Sequence, residues 1–277
     1  MSIITLTLLI FVGSCFAGLL GSLTGLGGGF VIIPMLTLAL HINIHYAIGA
    51  SLVSVIATSS GAAAAYVKEG ITNMRIGMFL EIATTAGAFA GAMLALHIQT
   101  HVIAIIFGVI LAFSALMSFL KKVETSAAEG SAAAKKLRLN GSYPNGDKTI
   151  KYGVRNVGGG FLMMIFAGTI SGMLGIGSGA LKVIAMDTVM RIPFKVSTTT
   201  SNFMIGVTAA TSAVVYFQRG YIDPGLCFPV TLGVLAGASL GSRVLTRAQT
   251  KGLRVVFAIV ITILAIEMIY NGATHRL

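Results

Sequence analysis

Charge is scarce in this sequence. Of its 277 residues only 10% are Asp, Glu, Lys or Arg, where a soluble domain carries about 25%. Hydrophobic residues make up 56%, and the mean hydropathy is +0.92. A chain so poor in polar side chains cannot cover a water-facing surface, so the bilayer is its expected solvent. Cysteine is nearly absent as well. Cys15 and Cys227 stand alone within apolar stretches, which argues against a disulfide framework or a metal motif and leaves two small, apolar-packing side chains. The chain has no phosphate-binding loop, no nucleophile beside a base and no metal-ligand cluster. An enzyme is therefore not expected, and no cofactor is called for. Without ATP hydrolysis, any transport must run downhill or be coupled to a proton or another ion.

The charge that is present is one-sided, at a net +11. The basic residues lie between apolar segments with no aromatics interleaved, so nucleic acid is not the expected partner. They read as topology signals and as contacts to the anionic head groups of a lipid bilayer. The run from Ile3 to Leu23 resembles a secretory signal but has no basic n-region before it. It also has a counterpart deep in the chain, and we read it as a mature membrane helix.

That counterpart belongs to an internal repeat. Ala17-Gly18 through Gly25-Leu-Gly-Gly-Gly29 lies over Ala167-Gly168 through Gly175-Ile-Gly-Ser-Gly179, 150 residues later. The same offset holds without a gap for about a hundred residues, pairing Ser51 with Ser201, Thr58 with Thr208, Tyr66 with Tyr216 and Gly87 with Gly237. Each copy divides into five apolar segments: about 3–23, 30–40, 44–67, 75–96 and 101–120, then 154–174, 180–190, 194–217, 224–245 and 251–270. The second and seventh have some 11 residues, roughly 16 Å of helix and about half a hydrocarbon core, as half-helices or strongly tilted short ones would.

Five crossings per copy is an odd number, so the second copy should be inverted. With the central loop in the cytoplasm, alternation puts 16 of the 19 lysines and arginines on that side, as the positive-inside bias requires. The expected architecture is an all-α, multi-pass membrane protein of two inverted repeats with short Gly-interrupted half-helices. Residues 1–120 form the first repeat, 121–153 a cytoplasmic linker and 154–277 the second repeat. The linker reads as flexible, with a short helix around 126–137 and a turn at Tyr143-Pro-Asn-Gly146. His41, His45, His97 and His101 form two i,i+4 pairs, which invites a metal reading. Their offset partners are Arg191, Lys195, Arg247 and Lys251, so basic anchors at helix ends are the stronger reading.

Candidate binding residues cluster at the two glycine-rich breaks. Gly25, Gly27, Gly28 and Gly29, and Gly175, Gly177, Ser178 and Gly179, interrupt apolar sequence just before the short segments. Such breaks in corresponding positions of two halves point to a transporter's site, although glycines also permit close helix packing. Lys182 follows the second break within an apolar segment, where an ionisable group is costly and usually functional. It can hold a small anion, pair with Asp187 or Glu81, or snorkel to an interface. Thr199, Ser201 and Asn202 can line a polar cavity or bond back to helix carbonyls. Glu81 and Glu267 are candidate proton carriers, but each falls near a segment end, where a solvated glutamate is expected.

The phrase Gly25-Leu-Gly-Gly-Gly29 followed by Pro34, repeated in weaker form from Gly175, resembles the TauE/SafE family of sulfite-exporter-like permeases. Gly25, Gly27, Gly28, Gly29 and Pro34 match the family motif, as do Gly175, Gly177 and Gly179 in the second copy. Ser178 replaces a glycine, Ile184 a proline and Lys182 an apolar residue. The resemblance implies a secondary, inner-membrane carrier of small sulfur-containing anions such as sulfite or organosulfonates. A passive anion channel and a non-transporting membrane scaffold are the competing readings.

Overall fold

The structure, a computed structural model, describes residues 3–24, 28–68, 71–119, 130–145, 148–245 and 250–275. The first half folds as α1 (Ile3–Thr24), α2 (Gly29–Pro34) running into a π-helical turn (Met35–Ala39), α3 (Ile44–Lys68), α4 (Met74–Ala95) and α5 (Thr100–Phe119). After α6 (Ala132–Lys136) and a hairpin of β1 (Gly141–Asn145) and β2 (Lys148–Tyr152), the same order returns. It runs α7 (Val157–Leu174), α8 (Gly179–Ile184) with a π turn (Ala185–Val189), α9 (Phe194–Gln218), α10 (Pro224–Leu245) and α11 (Thr250–Ala273).

The helices turn apolar faces both inward and outward. On α1 the exposed row is Ile4, Leu8, Val12 and Phe16; on α11 it is Ile259, Ile263, Ile266 and Tyr270, opposite buried Ile261, Ala265 and Met268. Steps of three and four residues place each row on one helix face, and rows of this size belong against lipid rather than water. Among the described residues, three helical stretches are long and apolar enough to cross a membrane: Ile4–Gly21, Met74–Ala95 and Val157–Leu174. Shorter apolar helical stretches accompany them, Gly29–Ala39, Ile44–Ser60, Thr100–Leu116, Pro224–Leu240 and Ile259–Ala273.

Inside, glycine lets backbones touch. A Cβ on Gly87 of α4 would overlap the carbonyl of Ile165 on α7, and one on Gly237 of α10 would overlap that of Cys15 on α1. Likewise Gly168 of α7 meets the Thr84 carbonyl and Gly18 of α1 the Val234 carbonyl. Each contact recurs 150 residues away with its two partners exchanged between halves. The two α-helical pairs, α4 with α7 and α1 with α10, are therefore one packing solution used twice, of the small-residue kind that membrane helices favour.

The short second segment of each copy is an 11-residue helix that ends in a π turn, and a left-handed residue stops it: His41 (φ 52) and Arg191 (φ 55). The closing bonds also repeat, from Ile42 N to Leu36 O at 2.9 Å and from Ile192 N to Met186 O at 2.9 Å. Only the first copy has a proline there, Pro34 against Ile184, so proline is not the cause of the π turn.

The region between the copies is not the bare linker expected. Tyr143 and Tyr152 are buried in one apolar cluster with Ile76 and Leu80 of α4 and Leu139. Tyr143-Pro144-Asn145 lies in strand β1 rather than in a turn, pairing with Ile150, Thr149 and Lys148. Asn73 ties the hairpin to the helices: its amide nitrogen donates to the Tyr152 hydroxyl at 2.8 Å, and its backbone N–H to Thr200 Oγ1 at 3.1 Å. The two strands are the departure from an all-α chain.

Candidate functional site

The second glycine-rich break is a sequence of left-handed residues. Gly175 (φ 67) caps α7, its N–H reaching Ser171 O at 2.8 Å, and Gly177 (φ 69) and Ser178 (φ 43) carry the chain into α8. Glycine is required at 175 and 177, because positive φ strains any Cβ and Ile48 and Ile205 stand where one would go. Of the first break, Gly25 and Gly27 lie outside the described residues. Gly28 and Gly29 begin α2, and a Cβ on Gly29 would press on Ser51 Oγ and approach Gly175 O within 3.3 Å. Ser51 itself donates to Gly175 O at 2.8 Å, so the start of α2 meets the second break. The corresponding serine of the second copy, Ser201, donates to Gly179 O at 3.2 Å within its own half.

Lys182 is fully buried, at 0% exposure. Its Nζ donates to Thr208 Oγ1 of α9 at 2.6 Å, and Thr208 Oγ1 lies 2.7 Å from Glu81 Oε1 of α4. Thr85 donates to the same Oε1 at 3.2 Å, while Glu81 Oε2 is buried with no partner. Of the pairings open to Lys182, the geometry selects the one with Glu81, bridged by a hydroxyl. Glu81 itself is a correction. It is 8% exposed and lies two turns inside α4, not solvated at a segment end, because it sits on the face that α4 turns toward α9. Glu267 is exposed, as expected.

The other candidates separate. Thr199 bonds back to the Lys195 and Val196 carbonyls, each at 3.1 Å, Asn202 is half-buried, and the Ser178 hydroxyl is buried without a partner. A crevice of about 440 Å³ opens between α3 and α9, lined by Ser59, Phe203, Gly206 and Val207 among others. The next residue of α9 is Thr208.

The histidines do not form helical pairs. His41 and His97 precede α3 and follow α4, so the i,i+4 spacing spans helix ends. His97 Nδ1 lies 2.9 Å from Met93 O, as a helix-end anchor should. His45 departs from that role. It is buried, with Nε2 3.2 Å from Ala95 O and its ring stacked on Tyr221 at a centroid distance of 4.9 Å.

Thr208 was missed by sequence reasoning. Its offset partner Thr58 gives no hint of charge, and nothing in the chain announces that positions 81, 182 and 208 meet. The corresponding positions for Lys182 and Glu81 are Ile32 and Thr231. The charged cluster draws Glu81 from the first half and Lys182 and Thr208 from the second, and the equivalent site carries no charge.

Comparison with known proteins gives a consistent result. The family model described as "Sulfite exporter TauE/SafE" matches residues 10–268. The probable membrane transporter protein YunE of Bacillus subtilis is 28% identical over 264 residues, covering 92% of this chain and 94% of that protein. The probable membrane transporter protein YdhB of the same organism is 27% identical over 226 residues, covering 82% and 85%. A probable membrane transporter protein of Xylella fastidiosa is 25% identical over 272 residues, covering 96% of each. No solved structure matches the chain.

Proposed function

The chain belongs to the sulfite exporter TauE/SafE family, and from that premise we propose that it is a secondary carrier of small anions, sulfite or organosulfonates, working by alternating access between its two halves. The observation that carries this reading is the burial of Lys182. Taking an ammonium out of water costs several kcal/mol, and a packing role would be filled better by the apolar residue that its counterpart Ile32 represents. The ammonium has three N–H donors and, among the described residues, one hydrogen-bond partner. A compact oxyanion offers the acceptors that the others lack. The glycine breaks beside it allow the close backbone approach a small anion needs.

In this reading the two halves lie in opposite orientations across a cell membrane, as inverted repeats of a carrier do, with the linker in the cytoplasm. The packing directions support this. The equivalent helices α5 and α11 run antiparallel, since Gly108 meets Ala265 and Ile269 while Gly272 meets His101 and Ile105. Helix α1 runs parallel to α10, with Phe11 against Gly233 and Cys15 against Gly237. A two-fold axis lying in the membrane plane produces both relations. Met74→Cys and Arg219→Cys, in a background free of Cys15 and Cys227, should react with an impermeant maleimide from opposite sides; labelling from one side at both would overturn the inversion.

The transport test is counterflow in liposomes. Labelled sulfite or methanesulfonate should accumulate transiently against an internal pool of the same anion, and flux should saturate. Flux without counterflow would favour a channel, and no flux a scaffold. Lys182→Met should lose at least about tenfold in flux. The double variant Lys182→Met/Glu81→Gln removes both charges, so its loss of flux at normal insertion cannot come from an orphaned carboxylate. Unchanged flux in either would exclude Lys182 from the site.

A further inference from the structure

We propose that Glu81 is the proton site that couples the anion to a proton gradient, and that for a monovalent anion the coupling is one to one and electroneutral. This rests on the anion reading above and adds the coupling ion and its stoichiometry.

The geometry leaves one place for the proton. Oε1 of Glu81 has two hydroxyl partners, Thr208 at 2.7 Å and Thr85 at 3.2 Å, and Oε2 has no hydrogen-bond partner. The Thr208 hydroxyl has one hydrogen and two acceptors within reach, Glu81 Oε1 and, at 2.9 Å, the Met204 carbonyl. With Glu81 ionised, Thr208 donates to the carboxylate and accepts from Lys182, so cation and anion share one hydroxyl. An anion arriving at Lys182 brings a second negative charge to a single positive one in a medium of low dielectric. Two such charges do not both persist, and one of them takes a proton. A water-derived proton then forms an O–H bond at Oε2, Glu81 becomes a neutral acid and Thr208 turns its hydrogen to the Met204 carbonyl. Lys182 is left to the anion. Departure of the anion reverses each step and returns the proton to the solution on that side.

The charge balance follows. The empty cluster holds Lys182 positive and Glu81 negative, a net of zero. The loaded cluster holds Lys182 positive, a monovalent anion and a neutral Glu81, again zero. The half-loaded states carry a net charge, which is costly within a bilayer. Loaded and empty carriers therefore reorient, and half-loaded ones do not. Among the described residues, few other ionisable groups lie on the elements around Glu81; the hairpin seated on Ile76 and Leu80 of the same helix brings Tyr143 and Tyr152. Helix α7 has none, and α9 contributes only Lys195 in its first turn and Tyr216 two turns beyond Thr208. Helix α8 contributes Lys182, with Asp187 on the π turn that follows; α4 itself adds only Arg75 at its start. The equivalent positions hold Ile32 and Thr58 in the first half and Thr231 in the second, so among the described residues this proton site has no symmetry-related counterpart.

The test is proton uptake on binding. Calorimetry of the purified full-length protein with methanesulfonate, whose own charge is constant near neutral pH, is run in buffers of different ionisation enthalpy; sulfite is the second probe. About one proton should be taken up per anion bound, and affinity should fall about tenfold per pH unit on the alkaline side. In Glu81→Gln both effects should vanish. In liposomes, wild-type accumulation should follow a pH gradient and ignore a potassium–valinomycin potential, a result that does not depend on how well E81Q inserts. Binding without proton uptake, uptake that survives E81Q, or accumulation that follows the potential would overturn this inference and leave the anion reading standing. Failure of both anions to bind or move would overturn the anion reading itself.

Discussion

At the scale of the residue, one hydroxyl mediates between the two buried charges. Thr208→Val keeps the volume and removes the bridge between Lys182 and Glu81, so anion flux should fall about ten- to a hundredfold, the worth of a hydrogen bond to a charged group. Thr208→Ser should restore most of it, since the serine hydroxyl occupies the same place. Rescue separates loss of the bridge from a packing defect, and initial-rate flux measurements read both. Lys182 was visible in the sequence because an ionisable residue in an apolar run stands out by cost alone. Its partner was not, because Glu81 reaches it across 101 positions of chain, and an apolar run marks where a helix begins without telling which of its faces is buried.

At the scale of the element, close backbone contact replaces the hydrophobic effect, which does not operate between helices in lipid. Gly87→Ala would drive a Cβ into the Ile165 carbonyl, and Gly237→Ala would do the same at Cys15. Each should lower stability by about 1–3 kcal/mol, the usual cost of overpacking. Gly158→Ala, with nothing within 4 Å of its Cβ, should stay within about 0.5 kcal/mol of wild type. Thermal unfolding in detergent checks the three together. The repeat made these contacts legible in outline, since glycines recur at the shared offset. Which helix each glycine touches was not legible, because periodicity names a face and not its partner.

At the scale of the whole molecule, the hairpin between the copies ties the two halves together. Tyr152→Phe removes the bond from Asn73 and should cost about 1 kcal/mol, read as lost protection of the hairpin from protease. Burial holds the Tyr152 phenol above its ordinary value of 10.0. The folded protein therefore keeps this proton where the unfolded chain has lost it, and stability falls as pH rises past the unfolded value. The hairpin escaped sequence reasoning because its polar, Gly- and Lys-rich composition is that of a linker. Its order comes from two tyrosines that find an apolar shelf made by α4.

What the sequence determined by itself is the part governed by local chemistry. Hydropathy set the solvent, the lengths of the apolar runs placed the helices, and the offset of 150 residues made the second half a copy of the first. Tertiary structure decided the rest, because it depends on which surfaces meet. It joined Ser51 to the second glycine break, moved Glu81 into the interior beside Lys182, and put Thr208 between them. A charged pair joined through a hydroxyl is a relation among three distant positions, and only packing creates it.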